Sequence, residues 1–307
     1  MMMAHNEGKV VSRAVESCLR QTLPDGVELR VVVVANGCTD DTEEVVRSLG
    51  RTAPCVQLLS LAEKGKNNAL NRAIRFLREE IVPVYDLSYV VFMDADCRFI
   101  GDGALAGFLD AFRAHAGVAA VGGTNVPACD GSFVGRMYRA MHEIGRDLPE
   151  NAISGGGYCI RYDVLERITF PAIELADDLF LSAKLDGWMY RDPGVEVAYS
   201  IPDSLGKEFR KRVRQEVCTE RFFLWARHLA QSGSRIDAFE GILGERYRWT
   251  GFSSVDVLKK LASLPGMAGK FYVTLNILIR VLARVRSRLV LRRLKEKPDL
   301  DFWQTER

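Results

Sequence analysis

The stretch Tyr89–Asp96 constrains the fold most, because five apolar or aromatic residues run directly into two aspartates. A continuous apolar run of this kind indicates a strand that is buried on both faces of a sheet. Residues i and i+2 of a strand point to the same side, so Asp94 and Asp96 should lie together at its carboxyl end. Ligands bind at that edge in open α/β sheets, and paired carboxylates there suit a divalent cation. A solvated turn after the strand is the alternative interpretation.

Strands and helices alternate along the first two thirds of the chain, which predicts an α/β fold with a doubly wound, mostly parallel sheet flanked by helices. Apolar runs predict the other strands, at Met1–Ala4, Leu29–Val34, Val56–Leu61, Val118–Val121 and Glu196–Ile201. Helical spacing and capping residues predict helices at about residues 10–19, 42–49, 65–77 and 103–115. The polar clusters 5–7, 36–41 and 94–96 each follow a predicted strand, so we expect them at one edge of the sheet.

The composition is that of a globular protein with a full core, since 48% of the residues are hydrophobic and 27% are charged. The net charge of +2 points to no particular partner, and no nucleic acid is expected. Seven cysteines without a C-x-x-C pair predict reduced thiols in a cytoplasmic protein, not a disulfide framework or a zinc site. No signal peptide is evident, and the longest apolar stretch, Leu261–Ile279, is interrupted by Pro265 and Lys270.

The last third of the chain is expected to be helical, which divides the protein into an α/β domain at residues 1–205 and a helical region at 206–307. Helices are predicted near Val255–Leu264, after the aromatic and basic cluster Arg246–Trp249, and at about Phe271–Lys295. Two stripes mark the final helix, one apolar and one basic: Leu275, Ile279, Leu282, Val285 and Leu289, and Arg280, Arg284, Arg288 and Arg292. The basic stripe predicts contact with an anionic membrane surface, or alternatively a docked helix whose arginines face water.

Six motifs in this order resemble the inverting glycosyltransferases of family 2, which share the GT-A fold, and the resemblance covers about residues 1 to 215. The motifs are Ala4-His5-Asn6-Glu7, Asn36-Gly37-Cys38-Thr39-Asp40, Gly65-Lys66-Asn67-Asn68-Ala69-Leu70-Asn71, Asp94-Ala95-Asp96, Gly155-Gly156-Gly157 with Arg161, and Asp177-Asp178. The resemblance implies a GT-A-like fold with a C-terminal helical extension. It also favours a metal at Asp94 and Asp96 over the solvated turn.

The resemblance implies a role for each motif. The nucleotide-binding residues would be Ala4, Asn6, Glu7, Asn36, Lys66 and Asp94, with the first loop on the base and ribose and Asn36 on an edge of the base. Asp94 and Asp96 would hold Mn²⁺ or Mg²⁺, which neutralises the departing diphosphate. Because the family usually has Asp where Asn36 stands, bases other than uracil stay open.

Two motifs would form the sugar pocket and the catalytic centre. Gly155, Gly156, Gly157 and Asp177 would line the acceptor and donor-sugar pocket, and Asp177 stands where the family usually has Glu. Asp178 would be the general base, which takes the proton of the acceptor hydroxyl as that oxygen attacks the anomeric carbon. Capping of a helix by Asp177 or Asp178 is the alternative interpretation.

The expected function is therefore the transfer of a sugar from a nucleoside-diphosphate sugar to an acceptor hydroxyl, in bacterial polysaccharide, cell-envelope or glycolipid biosynthesis. Processive members of the family carry a Gln-x-x-Arg-Trp motif, and the comparable stretch Arg210–Gln215 has no Trp, so a non-processive enzyme is expected. The protein would be cytoplasmic, and contact with the inner face of the cell membrane would favour a lipid-linked acceptor over a free sugar. The alternatives are a Mg²⁺-dependent nucleotidyltransferase and a non-catalytic carbohydrate-binding scaffold.

Overall fold

The structure is a computed structural model that describes residues 1–145, 153, 155–185, 188–231, 259 and 266–296. The predicted cluster Arg246–Trp249 and all but one residue of the predicted helix Val255–Leu264 lie outside the described residues. The chain divides into two compact units: residues 1–126 with 151–199, and residues 127–150 with 200–307. We call the first the sheet unit and the second the helical unit. The predicted division at residue 205 stays a prediction.

The sheet unit contains one eight-stranded sheet in the order β3-β2-β1-β4-β7-β6-β8-β5. The strands are β1 (Met2–Ala4), β2 (Val31–Asn36), β3 (Val56–Leu61), β4 (Tyr89–Asp94), β5 (Cys97–Phe99), β6 (Ala120–Pro127), β7 (Tyr158–Arg161) and β8 (Met189–Tyr199). The first four strands pair in parallel, whereas β7 pairs antiparallel with both β4 and β6, and β5 pairs antiparallel with β8. The sheet therefore joins a parallel half to an antiparallel half.

Helices cover the sheet, and their apolar residues recur with helical spacing so that one face of each helix can pack against it. The helices of the sheet unit are α1 (Val11–Leu19), α2 (Thr42–Thr52), α3 (Lys66–Phe76), α4 (Ala104–Ala114), α6 (Tyr162–Leu165) and α7 (Asp177–Lys184). In α1, Val11, Ala14, Val15 and Cys18 are buried, which is the i, i+3, i+4, i+7 pattern of one helix face. The strand β2 is buried at every position, as expected for a parallel strand covered on both sides.

The predicted α/β fold is confirmed, and the differences are local. The predicted bounds of Val56–Leu61 and of the strand that ends at Asp94 agree with β3 and β4. The predicted strand at residues 118–121 forms instead from Ala120 to Pro127, and the last strand begins at Met189 rather than Glu196. The short strands β5 and β7 were not predicted, because three or four residues give too little alternation to be recognised.

The helical unit contains α5 (Phe133–Gly145), α8 (Leu205–Gln231) and α9 (Met267–Glu296). Ala283 and Val290 of α9 are buried against Val213 and Val217 of α8. The small side chain of Ala283 permits a close approach of two long helices. None of the described helices is both long and apolar enough to cross a membrane.

The residues of the apolar and basic stripes predicted for α9 differ in how far they are buried. Ile279 is buried, whereas Leu282, Val285 and Leu289 are each about half exposed, at 50%, 56% and 47%. Arg280 departs from the other arginines: its Nε donates to Oδ1 of buried Asn276 at 2.9 Å, and burial lowers the pKa of Arg280 to about 10. Part of the apolar face of α9 is therefore exposed, whereas an amphipathic helix usually buries its apolar face in the core.

A hydrogen bond from α5 to the buried carboxylate of an ion pair within α8 links the two helices in the helical unit. Glu208 is completely buried, and its carboxylate accepts hydrogen bonds from Tyr138 Oη at 2.7 Å and from Arg212 Nε at 2.6 Å. A buried carboxylate is tolerated only when hydrogen bonds and an opposite charge replace the lost water. Arg212, which lies in the stretch Arg210–Gln215, is therefore held in this pair.

We expect Glu208→Ala to lower the free energy of unfolding by about 3–5 kcal/mol, because it leaves the half-buried Arg212 guanidinium without its carboxylate and the buried Tyr138 hydroxyl without its acceptor. The matched control is Asp203→Ala, since Asp203 is exposed and pairs with Lys207 at the same i, i+4 spacing. That control should change stability by no more than about 1 kcal/mol. Urea unfolding followed by circular dichroism measures both, and equal effects would contradict a structural role for the buried pair.

Candidate active site

Lys66, the first residue of α3, places its ammonium group between carboxylates from two other elements. Its Nζ lies 2.9 Å from Asp94 Oδ1 at the end of β4 and 3.0 Å from Asp177 Oδ2 at the start of α7. The preceding Gly65 has a φ of +129°, where a side chain is strained, and a Cβ there would lie 2.8 Å from Glu174 Oε1. The ion pairs therefore join three elements that are distant in sequence.

The segment in front of α7 is fastened to α3 by two asparagines. Asn71 Nδ2 donates to the carbonyl of Phe170 at 2.9 Å, and Asn71 Oδ1 accepts from the amide of the same residue at 2.8 Å. Asn67 Nδ2 donates to the carbonyl of Ile173 at 2.8 Å. Because these bonds fix the chain that leads into Asp177, Asn67 and Asn71 are positioning residues for the acids of α7.

Sequence reasoning missed this role of Asn67 and Asn71, although both lie in a motif that it singled out. A signal was present, because the two residues are four apart and therefore share one helix face. Asparagines on a face that is otherwise apolar indicate amides that bond to the backbone of a neighbouring element. The spacing does not show which element that is.

The carboxylate cluster, defined as Asp94, Asp96, Asp177 and Asp178, has more negative charge than Lys66 can neutralise. Burial lowers the pKa of Lys66, but Asp177 and Asp94 together outweigh burial and hold that pKa well above its usual value. Burial raises the pKa of Asp94, Lys66 opposes the rise, and Asp177 and Asp96 add to it. Two carboxylates contact the ammonium group and two more lie beside them, so the negative charge of the cluster favours a further cation.

The pKa of the Asp178 carboxyl lies near neutral pH. Burial, followed by the charge of Asp177, raises the pKa of Asp178 to about 7 against the smaller opposing effect of Lys66. Asp178 Oδ1 accepts a hydrogen bond from the amide of Leu179 at 2.9 Å, and the N-cap position of α7 is Ala176. A carboxyl whose pKa lies near the working pH is well suited to accept a proton from a hydroxyl.

Asp96 and the three predicted glycines lie around the end of β4. Asp96 is in the turn after β4, where its Oδ1 accepts a hydrogen bond from Cys97 Sγ at 3.5 Å. A Cβ on Gly155 would lie 3.2 Å from Asp94 Oδ2, so the glycine brings its backbone close to the carboxylate cluster. The other two, Gly156 and Gly157, pack against Asn125 of β6 and a valine of β8, where a side chain would collide.

The loop after β1 is joined to the loop after β2 by hydrogen bonds. Asn6, at a φ of 60°, accepts at Oδ1 from the amide of Thr39 at 2.7 Å, and the amide of Glu7 donates to Thr42 Oγ1 at 2.8 Å. Asparagine tolerates this left-handed conformation better than most residues. The hydrogen bond from Thr39 shows that the side chain of Asn6 holds the two loops together. Ala4, just before this loop, is the buried last residue of β1.

Asn36, the last residue of β2, has an amide oxygen that lacks a partner. The residue is 8% exposed, and its Oδ1 has no hydrogen-bond partner among the described residues. Its backbone carbonyl lies 2.6 Å from His5 Nδ1, so the main chain at this point is engaged. A buried acceptor without a donor indicates a place where a ligand or a water molecule donates a hydrogen bond.

Strand register places these loops and the carboxylate cluster at the same edge of the sheet. β1 lies between β2 and β4, with Ala4 opposite Ala35 and Met3 opposite Asp94. Met3 also lies opposite Val34, so two strand spacings of about 4.8 Å and the two residues from Val34 to Asn36 put the backbones of Asn36 and Asp94 roughly 12 Å apart. The structure thus brings the predicted nucleotide and metal residues together at one edge.

The donor chemistry of the cluster fits a hard divalent cation. Carboxylate oxygens are ligands that Mg²⁺ and Mn²⁺ prefer, and the excess negative charge would be neutralised by such an ion. Across the part of the chain that the structure describes, no group of three or more His, Cys, Asp or Glu side chains is arranged to hold a metal ion. Asp94 and Asp96 are the residues that would hold the ion together with oxygens of a bound phosphate.

Comparison with known proteins agrees with this arrangement. The family described as Glycosyl transferase family 2 matches residues 1–165, which is more than half of the chain. Chondroitin synthase of Escherichia coli is 34% identical over 122 residues, which are 40% of this chain and only 16% of that protein. Mannosyltransferase PcManGT from Pyrobaculum calidifontis, solved in complex with GDP-Man and Mn²⁺, has a TM-score of 0.59 at 20% identity, with 97% of this chain and 86% of that chain covered.

These matches differ in what they establish. The likeness to the solved mannosyltransferase shows the fold, which is GT-A, and the match to the synthase spans a small part of that protein. The family match covers the loops after β1 and β2, Lys66 and the end of β4. The chain is therefore a glycosyltransferase with the GT-A fold, and it belongs to glycosyl transferase family 2.

Proposed function

We propose that the protein is a metal-dependent, inverting enzyme that moves a sugar from a nucleoside-diphosphate sugar to an acceptor hydroxyl. The observation that carries the proposal is the meeting of acids from β4 and α7 around Lys66. They meet at the sheet edge that also bears the loops after β1 and β2. The complex of PcManGT with GDP-Man and Mn²⁺ supports the same class of donor and metal.

The joined loops would bind the nucleoside. Ala4, Asn6 and Glu7 would lie along the base and ribose, and the unpartnered Oδ1 of Asn36 would accept a hydrogen bond from a ring N–H of the base. Uracil and guanine both offer such an N–H. The side-chain amide can also donate, so Asn36 is compatible with either base.

The diphosphate would be held between Lys66 and the acids of β4. Asp94 and Asp96 would bind Mn²⁺ or Mg²⁺, which supplies Lewis-acid stabilisation of the leaving diphosphate when it is bound. The Lys66 ammonium keeps its charge between two carboxylates and can also meet a phosphate oxygen.

The acceptor would react on the α7 side of the site. Asp178 would take the proton of the acceptor hydroxyl while that oxygen bonds to the anomeric carbon and the bond to the diphosphate breaks. Inversion requires the base and the leaving group on opposite faces of the sugar, so Asp178 would act from the face opposite the diphosphate at Asp94 and Asp96. Gly155, Gly156, Gly157 and Asp177 would line the space for the sugar.

An exposed apolar ridge on α9 supports contact with a membrane surface at the cytoplasmic side, and with it a lipid-linked acceptor. The ridge consists of residues that are each 47–56% exposed: Leu278, Val281, Leu282, Val285 and Leu289. Arg284, Arg288 and Arg292 are exposed on the same helix. Apolar side chains beside arginines suit the boundary between acyl chains and anionic headgroups. Such an acceptor is typical of polysaccharide, cell-envelope or glycolipid biosynthesis in bacteria.

The donor class is tested by incubating the protein with single nucleotide-sugars and Mn²⁺. We expect slow hydrolysis of one donor with release of its nucleoside diphosphate, because water can replace the acceptor. Removal of the metal with EDTA should stop the release, and added Mn²⁺ should restore it. Release of pyrophosphate from a nucleoside triphosphate would instead identify a nucleotidyltransferase, and inactivity with every donor would contradict catalysis.

Asp178→Asn is expected to lower transfer by about 10²–10⁴-fold, because the amide cannot accept the proton, while donor binding measured by thermal shift persists. The wild-type kcat/KM should fall as the pH drops through about 7, where Asp178 becomes protonated, and the residual activity of the variant should lack this dependence. Asp110→Asn, an exposed acid of α4, is the control. Near-normal turnover of Asp178→Asn would remove Asp178 from the mechanism.

The membrane proposal predicts that the protein co-sediments with phosphatidylglycerol vesicles at low salt. The double variant Leu282→Asp with Val285→Asp should weaken this binding more than about tenfold, because two apolar side chains no longer enter the interface. Val84→Asp, at an exposed valine of the sheet unit, serves as the matched control. No sedimentation of the wild type, or equal binding of all three proteins, would contradict the role of the ridge.

A further inference from the structure

A cavity of about 390 Å³ lies at the opposite edge of the sheet from the carboxylate cluster. Tyr89, which begins β4, and Arg161, which ends β7, are paired across the two strands and both line the cavity. Asp94 is five residues further along β4, so the cavity is roughly 17 Å from it at about 3.3 Å per residue. Arg161 belongs to the glycine motif expected to form the sugar pocket, but in the structure it lines this cavity instead.

One wall of the cavity is aromatic. The rings of Tyr89 and Phe112 lie 4.9 Å apart at an angle of 37°, and Tyr89 is 39% exposed. The two rings pack on each other and leave no slot between them, so a planar base could not be inserted. The wall offers an outer aromatic face, against which a ligand with an apolar surface of its own can pack.

The other walls supply polar groups without an excess of positive charge. Arg161 donates to Asp163 through two hydrogen bonds, Nε to Oδ1 at 3.1 Å and Nη2 to Oδ2 at 2.6 Å, and Glu166 also lines the cavity. His115 lines the cavity as well, and its ring stacks on Tyr190 at a centroid distance of 3.9 Å. An anion would meet two carboxylates, so an uncharged ligand with many hydroxyls is the better match.

The frame of the cavity is fixed by the sheet. The amide of Arg161 donates to the carbonyl of Ala119 at 3.0 Å, and the amide of Tyr162 donates to the carbonyl of Ser88 at 2.9 Å. The polar side chains therefore start from a backbone that is bonded on both sides. Ligand sites are commonly formed in advance in this way, with an apolar wall and a few placed polar groups.

We propose that this cavity is a second saccharide-binding site, separate from the site of transfer. A pyranose would pack the C–H face of its ring on Tyr89, and its hydroxyls would bond to the Arg161–Asp163 pair and to Glu166. The class of ligand follows from the cavity itself. Only the origin of the sugar, as part of a glycan acceptor or product, rests on the proposed function.

The test is saturation-transfer difference NMR of the full chain with the methyl glycosides of glucose, galactose, mannose, N-acetylglucosamine and N-acetylgalactosamine as probes. At least one glycoside should bind the wild type and lose its signal with Tyr89→Ala, whereas Phe133→Ala, at an aromatic of similar exposure in the helical unit, should retain it. Glu166→Ala should weaken binding about fivefold, which is the effect of one hydrogen bond. Absence of binding, or binding that survives Tyr89→Ala, would overturn the proposal.

Donor hydrolysis separates this proposal from the function assigned to the carboxylate cluster. Tyr89→Ala should hydrolyse the donor at the wild-type rate, because the ring lies far from Asp94. Tyr89-dependent binding of a glycoside by a protein that hydrolyses no donor would refute the proposed function and leave the second site standing. Loss of hydrolysis in a correctly folded Tyr89→Ala variant would overturn the separateness of the site.

Discussion

The candidate active site depends on one ammonium group that is shared by two carboxylates. Lys66 bonds to Asp94 and to Asp177, and these three residues begin or end α3, β4 and α7. Like charges so close together would otherwise repel, and burial makes that repulsion stronger. The shared cation therefore allows the chain to gather acids at one point before any ligand arrives, and α3 also fixes the approach to α7 through Asn67 and Asn71.

The parallel half of the sheet is what the sequence predicts best. Buried parallel strands are continuous apolar runs, and the bounds of β3 and β4 follow directly from Val56–Leu61 and from the run that ends at Asp94. The antiparallel half is harder, because Tyr158–Arg161 is short and follows three glycines. Its pairing with β4 on one side and β6 on the other is decided by contacts between residues distant in sequence.

The same limit applies within the site. Polar clusters after successive strands indicate a common edge, and the structure brings the residues of those clusters together there. Side-chain partners cannot be predicted from such a pattern. Three features of this kind depend on rotamers and on loop geometry. Lys66 faces Asp177, Asn6 bonds to Thr39, and Asn36 Oδ1 has no partner among the described residues. Arg161 shows the opposite case, in which a residue close in sequence to the glycines lies at the far end of its strand.

The chain enters the helical unit twice, at residues 127–150 and again from residue 200. α5, from the first passage, is covered by helices of the second, since Tyr138 bonds to Glu208 and Ala140 packs with Val273. During synthesis the apolar side of α5 must therefore wait for residues that leave the ribosome much later, and it stays open to other molecules in the meantime. A chain shortened after Tyr199 would keep every strand of the sheet, but the apolar side of α5 would have no helix to cover it and would promote aggregation.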